Sequence, residues 1–98
     1  MPSAGYSTVV TEYQRGLTLA RAGAWFDAHE AFELAWRAAD ASERDFFQGL
    51  VHVAVAWYQA GRGNRVGCER QLDKAVRRLS PYAPTQRALG RGAPGGSK

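Results

Sequence analysis

Between Phe46 and Tyr58 the chain reads Phe-Phe-Gln-Gly-Leu-Val-His-Val-Ala-Val-Ala-Trp-Tyr, too long a run for an ordinary strand and apolar on most sides of a helix. Such a helix cannot lie on a surface with one side in water. It has to be central, contacted on several sides, so the rest of the chain must supply the helices that cover it. One strip alone is polar: Asp45, Gln48, His52 and Gln59 fall within about 60° of one another at 100° per residue.

Three further segments carry the helical period. Val9, Val10, Tyr13, Leu17 and Ala20 recur at three- and four-residue spacing, predicting a helix over 6–22 that Gly23 ends. A second helix is predicted from Trp25 or Phe26 to Ala39. The central one is predicted from Ser42, whose hydroxyl can cap it with Asp45 three residues on, to Ala60 before Gly61-Arg62-Gly63. Asn64 is a good N-cap for a fourth helix reaching Leu79, where Ser80-Pro81 stops it. Strand alternation is absent. The expected fold is all-α, four helices as two hairpins in an orthogonal or antiparallel bundle: a flexible start over 1–5, a helical domain over 6–84, and a basic, Gly- and Pro-rich tail over 85–98 that buries too little to be ordered.

A weak repeat runs at a spacing of 40, pairing Ala20 with Ala60, Gly23 with Gly63, Ala35 with Ala75 and Arg37 with Arg77. With Ala28-x-x-x-Phe32-x-x-Ala35, this build resembles tetratricopeptide pairs, in which a small residue sits at the helix crossing and an aromatic follows four later. Two such units make no solenoid groove, so the likeness is architectural. Gly16 and Gly67, inside predicted helices, each cost about 1 kcal/mol relative to Ala and so imply close helix approach.

The formal charge is +4, and Cys68 is the only cysteine. A disulfide within the chain is excluded, and without a basic-then-apolar leader the expected compartment is the reducing cytoplasm. No apolar run approaches the roughly 20 residues that span a bilayer, so no membrane is expected as partner. Arg62, Arg65, Arg70, Lys74, Arg77, Arg78, Arg87, Arg91 and Lys98 all lie beyond residue 60. No aromatics interleave them, which favours a solvated helix face and a basic tail over a nucleic-acid site, with nucleic-acid binding expected to be weak and non-specific. Val66, Leu72, Ala75, Val76 and Leu79 are expected to face the bundle, and Glu69 and Asp73 to pair with Lys74 or Arg77.

The chemistry concentrates in Trp25-Phe26-Asp27-Ala28-His29-Glu30-Ala31-Phe32-Glu33-Leu34-Ala35-Trp36. Trp25, His29, Phe32, Glu33 and Trp36 share an arc roughly 100° wide, which sets an imidazole and a carboxylate among aromatics. Burying that pair costs several kcal/mol unless each finds partners. His29 and Glu33 are i,i+4 and can touch, and the third helix can offer Gln48 and His52, also i,i+4. The expectation is a buried cluster of His29, Glu33, Gln48 and His52 that fixes helix register, with Glu33→Ala costing about 1–3 kcal/mol. Two other chemistries compete. A small-ligand or metal pocket could use His29, Glu33 and His52, although the second His of a His-Glu-x-x-His helix is missing. Acid–base catalysis by Glu33 with His29 lacks an oxyanion hole, a nucleophile and a phosphate loop. No residue is assigned to catalysis or to a metal, and the sequence names no cofactor. Trp25, Trp36 and Trp57 read as core or half-core aromatics, Cys68 as a small packing residue, and Tyr82 as able to fold back onto the bundle.

The same segment preceded by Gly23-Ala24, then Phe47-Gln48-Gly49-Leu50-Val51-His52, then Arg62-Gly63-Asn64, resembles the small all-helical domain-of-unknown-function family 309. That family's pattern is Gly-x-(aromatic)-Phe-x-x-His-Glu-x-x-Glu-x-x-Trp, followed by Phe-x-Gln-Gly-Leu-Ile-Gln and a Gly-Asn before the last helix. The resemblance covers residues 12 to 84 and singles out His29, Glu30, Glu33, Trp36, Gln48 and Asn64. His52 stands where the family usually has Gln, and much of the usual ending beyond Tyr82-Ala83-Pro84 is missing. It implies an all-helical domain and brings no established activity. The function expected is a non-enzymatic interaction module with a protein partner.

Overall fold

Two turns forty residues apart are built alike. In the first, the N–H of Gly23 donates to the carbonyl of Ala20 at 3.0 Å and that of Ala24 to Leu19 at 2.9 Å. In the second, Gly63 donates to Ala60 at 3.0 Å and Asn64 to Gln59 at 2.8 Å. This crossed pair of bonds ends a helix only when the residue after it turns left-handed, and Gly23 and Gly63 both adopt φ +79°. The sequence repeat is thus a repeat of helix endings. The computed structural model describes the backbone of residues 4–82 and the side chains from residue 7. Its elements are α1 (Ala4–Arg21), α2 (Trp25–Ala38), α3 (Ala41–Gly61), α4 (Arg65–Leu79) and a short 3-10 turn (Ser80–Tyr82). The chain is all-α over this span, as the periodicity predicts. The expected tail over 85–98 lies outside the described residues, as do residues 1–3 of the expected flexible start.

Two boundaries differ from expectation. α1 begins at Ala4 rather than Tyr6, and α3 begins at Ala41 with Asp40, not Ser42, at its N-cap. No side chain caps α3; the carbonyl of Asp40 accepts from the Glu43 N–H at 2.9 Å. Ser42 lies inside the first turn, and its carbonyl accepts from the Tyr82 hydroxyl at 2.8 Å, so Tyr82 does return to the bundle. Asn64 caps α4 as predicted, its Oδ1 accepting from the Gly67 N–H at 2.9 Å.

Each helix packs chiefly on its neighbours in the chain. α3 lies between the others because it has two buried stripes on opposite sides. Phe47 and Ala54 form one, and Gly49 and Ala56, about 180–200° round the wheel, form the other. The first stripe faces α1 and α2: Ala54 clusters with Ala28 and Phe32, and Phe47 with Val9, Ala35 and Ala39. The second faces α4. A Cβ on Gly49 would stand 2.5 Å from Leu79 Cγ, so glycine is what lets these two helices approach. Gly16 does the same for α1 against α2, where a Cβ would overlap the Phe32 ring. Gly67 differs from expectation: a Cβ there would collide with Asn64, so it makes room for the helix's own cap and not for another helix.

The buried core is mostly alanine. Ala28, Ala31, Ala35, Ala54 and Ala56 are fully enclosed, whereas Phe32 and Phe47 are the largest buried side chains among the described residues. Trp25 and Trp36 are half-buried as expected, but Trp57 is 46% exposed and stacks on Trp25 at 6.1 Å between centroids. On α4 the expected inward face also shrinks: Ala75 is buried and Leu72 and Leu79 half-buried, while Val66 and Val76 face solvent. Cys68 is half-buried. Among the described residues no helix is long and apolar enough to cross a membrane.

Candidate functional site

Three residues of the polar strip of α3 find hydrogen-bond partners on α4 or at its N-cap, and none finds one on α2. Arg78 Nη1 donates to Asp45 Oδ1 at 2.7 Å, His52 Nδ1–H donates to Gln71 Oε1 at 2.7 Å, and Asn64 Nδ2 donates to Gln59 Oε1 at 3.1 Å. Residues 45, 52 and 59 are seven apart on α3, and their partners 78 and 71 on α4 and 64 at its N-cap are also seven apart. Seven residues are close to two turns, so an antiparallel pair in fixed register brings the same faces together at each step. The three contacts follow from that register. Gln71 therefore takes the role the sequence reading gave to His29 and Glu33, that of partner to His52.

His29 and Glu33 stand apart from this seam and from each other. No polar or charged side chain among the described residues is buried, and no hydrogen bond joins the two. The Glu33 carboxylate is 37% exposed and reaches the Arg37 guanidinium at 3.8 Å along its own helix. Gln48 is half-buried with no side-chain hydrogen bond, and Glu30 is exposed. Trp36 is half-buried beneath Arg44, whose guanidinium carbon lies 5.6 Å from the ring centroid. The reason is which face of α2 is inward. Ala31, Ala35, Ala28 and Phe32 span about 100° of the wheel, and His29 and Glu33 lie about 110° and 150° from its centre. The small residues mark the line of closest approach, and the aromatics on the other arc reach around from the flank. Glu33→Ala is consequently expected to change stability by no more than about 0.5 kcal/mol, as for other exposed i,i+4 pairs, rather than by the 1–3 kcal/mol of a buried partner. Urea unfolding of the variant checks this.

The structure gives His29 an open cleft. Phe26 and His29 of α2 and Val55, Tyr58 and Gln59 of α3 line a cavity of about 180 Å³. The Phe26 ring lies 5.6 Å from the imidazole and 5.5 Å from the Tyr58 ring. Arg62, just after α3, contacts one of these lining residues: its guanidinium carbon is 5.6 Å from the Tyr58 centroid, and Nη1 donates to the Tyr58 hydroxyl at 3.1 Å. Phe26 is 51% exposed. Of the predicted cluster only His29 borders this cleft; the sequence reading has Gln59 only as part of the polar strip, and Phe26, Val55 and Tyr58 are not among its site residues. Phe26 could have been found, since it stands i,i+3 from His29. The α3 residues could not, because their level opposite α2 follows from the antiparallel register.

Among the described residues no three His, Cys, Asp or Glu side chains come together as metal ligands would. The two-His-one-carboxylate arrangement of His29, Glu33 and His52 is not assembled, because His52 faces α4. Glu33 and His29 likewise lack the contact that a paired acid and base require.

The sequence pattern of the family described as Domain of unknown function (DUF309) matches residues 13–71, more than half of the chain. The chain belongs to this family. Neither the curated proteins nor the solved structures include a match to it. The matched span of this DUF309 domain holds α2, α3, the cleft and the first half of α4, and so includes every residue that lines the cavity.

Proposed function

We propose that this DUF309 domain is a non-enzymatic protein-interaction module whose recognition element is the cleft between α2 and α3. The observation that carries this reading is Phe26. A large aromatic side chain stays half in water at the mouth of an apolar cavity, in a protein whose own core is built from alanine. A partner side chain filling the cavity and covering Phe26 would gain on the order of 1–2 kcal/mol from apolar burial alone. Exposed aromatics beside a preformed cavity are the kind of anchor from which interfaces draw most of their energy. Trp57, exposed on its stack with Trp25, is a second exposed aromatic of the same two helices, on another face of α3. A single half-buried thiol and no membrane-spanning helix among the described residues support a cytoplasmic setting.

Phe26→Ser tests the reading. Half exposed already, Phe26 contributes little to folding, so the variant is expected to lose no more than about 1 kcal/mol of stability. Selection of a displayed random-peptide library on the immobilised wild-type protein should enrich sequences with a large apolar residue, and Phe26→Ser should enrich none of them. Recovery of the same peptides by the variant, or no enrichment by the wild type, would overturn the proposal.

A further inference from the structure

Arg62 has no acidic partner. Among the described residues no carboxylate lies within ion-pair distance of its guanidinium, which rests on the ring and hydroxyl of Tyr58, a residue of the cleft wall. Across the cavity that Tyr58 lines, the His29 imidazole makes no hydrogen bond. The surroundings are asymmetric in charge. α4, which starts just after Arg62, carries Arg65, Arg70, Lys74, Arg77 and Arg78 against Glu69 and Asp73, with Arg65 paired to Glu69 and Arg78 to Asp45 of α3, so that the unpaired cation at this end of α3 is Arg62. α2, on the opposite wall, carries Asp27, Glu30 and Glu33 against Arg37. An anionic group at the cleft is therefore favoured at the Arg62 end and repelled at the α2 wall.

Size restricts the apolar part of the occupant. A cavity of about 150 Å³ accepts benzene. The 180 Å³ here thus holds one Leu or Phe side chain and little more. Resting on the interaction-module reading, we propose that the cleft takes one large apolar side chain from an acidic peptide segment of a partner protein, with the carboxylate of an adjacent Asp or Glu received by Arg62. The guanidinium carbon stands 5.6 Å from the Tyr58 ring, within reach of a side chain one residue away along the partner chain. Its planar fork receives a carboxylate with two parallel hydrogen bonds. Because Tyr58 already holds that fork in place, less side-chain freedom is lost on binding than for a free surface arginine.

The experiment uses the full chain and N-acetylated, C-terminally amidated nine-residue peptides with Leu or Phe at the centre, flanked by Glu, by the isosteric Gln, or by Lys. Titrations at low and high salt should show the Glu-flanked peptides binding at least about tenfold more tightly than the Gln-flanked ones at low salt, an advantage that salt removes. Arg62→Gln should abolish the same advantage, while Phe26→Ser should weaken Glu- and Gln-flanked peptides alike. Equal binding of Glu- and Gln-flanked peptides to the wild type, with Phe26→Ser still damaging, would overturn the acidic specificity and leave the cleft reading standing. Gln-flanked peptides that end in a free C-terminal carboxylate form a further set, and binding confined to that set would also overturn the proposal, by assigning Arg62 to a chain end. No binding by any peptide, or none that Phe26→Ser affects, would overturn both.

Discussion

Replacing Phe32 by alanine is expected to lower the free energy of unfolding by about 3–5 kcal/mol, the largest single-residue effect in the domain. Phe32 is 3% exposed and is the aromatic that fills the space between the alanines of α2 and α3. Its ring also lies against Gly16 of α1, so one side chain joins three helices. Truncation leaves a cavity that alanine neighbours cannot collapse to fill, since they have no side-chain length to give. A domain of this size has a total stability on the order of 4–12 kcal/mol, so the variant should be largely unfolded at modest urea. The Gly16 contact supplies a second reading of the same site. Gly16→Ala should cost about 1–3 kcal/mol by overpacking in the native background, and clearly less when Phe32 is shortened to Leu. Urea midpoints of the single and double variants measure this. A loss below about 1 kcal/mol for Phe32→Ala, or strict additivity of the pair, would show that the ring is not the keystone of the packing.

Gly49→Ala is expected to destabilise by about 1–3 kcal/mol, against the direction that helix propensity predicts. In an open helix the same change gains about 1 kcal/mol, because alanine loses less backbone freedom on folding. At Gly49 the new Cβ would stand 2.5 Å from Leu79 Cγ, 2.7 Å from Leu79 Cδ2 and 3.3 Å from Arg78 Cβ. Leu79 must change rotamer or α4 must move out, and outward movement strains the neighbouring Arg78–Asp45 contact. Gly61, with open space around its Cβ position and no positive φ, is the internal control. Gly61→Ala should be neutral or stabilising by up to about 1 kcal/mol. Thermal and urea unfolding of both variants decide the matter, and stabilisation of equal size at the two positions would remove the case for close approach of α3 and α4.

His29 and Glu33 show how a sequence pattern can be read correctly and placed on the wrong face. Their arc is aromatic, and aromatic residues on a helix usually point inward. Here the inward face is the alanine stripe of Ala28, Ala31 and Ala35 together with Phe32, and a stripe of small residues gives a weak hydrophobic signal. Two helices approach most closely where side chains are smallest, which leaves larger rings at the edges of the contact. The resulting half-exposure of Phe26 and His29 makes a cleft where a sealed network was expected. The seam between α3 and α4 was more legible than it looked: Asp45, His52 and Gln59 are seven apart, and so are Asn64, Gln71 and Arg78.

The helices, their glycine-ended turns, the Asn64 cap and the central place of α3 were determined by the sequence itself, because each depends on backbone geometry and side-chain period within a few residues. The partners of the polar residues were decided only in the tertiary structure. Asp45 meets Arg78 across 33 positions, His52 meets Gln71 across 19, and Phe26 meets Tyr58 across the α2–α3 contact. Those pairings depend on interhelical register, which is set by how closely Gly16, Gly49 and the buried alanines let the helices approach. No local signal carries that distance.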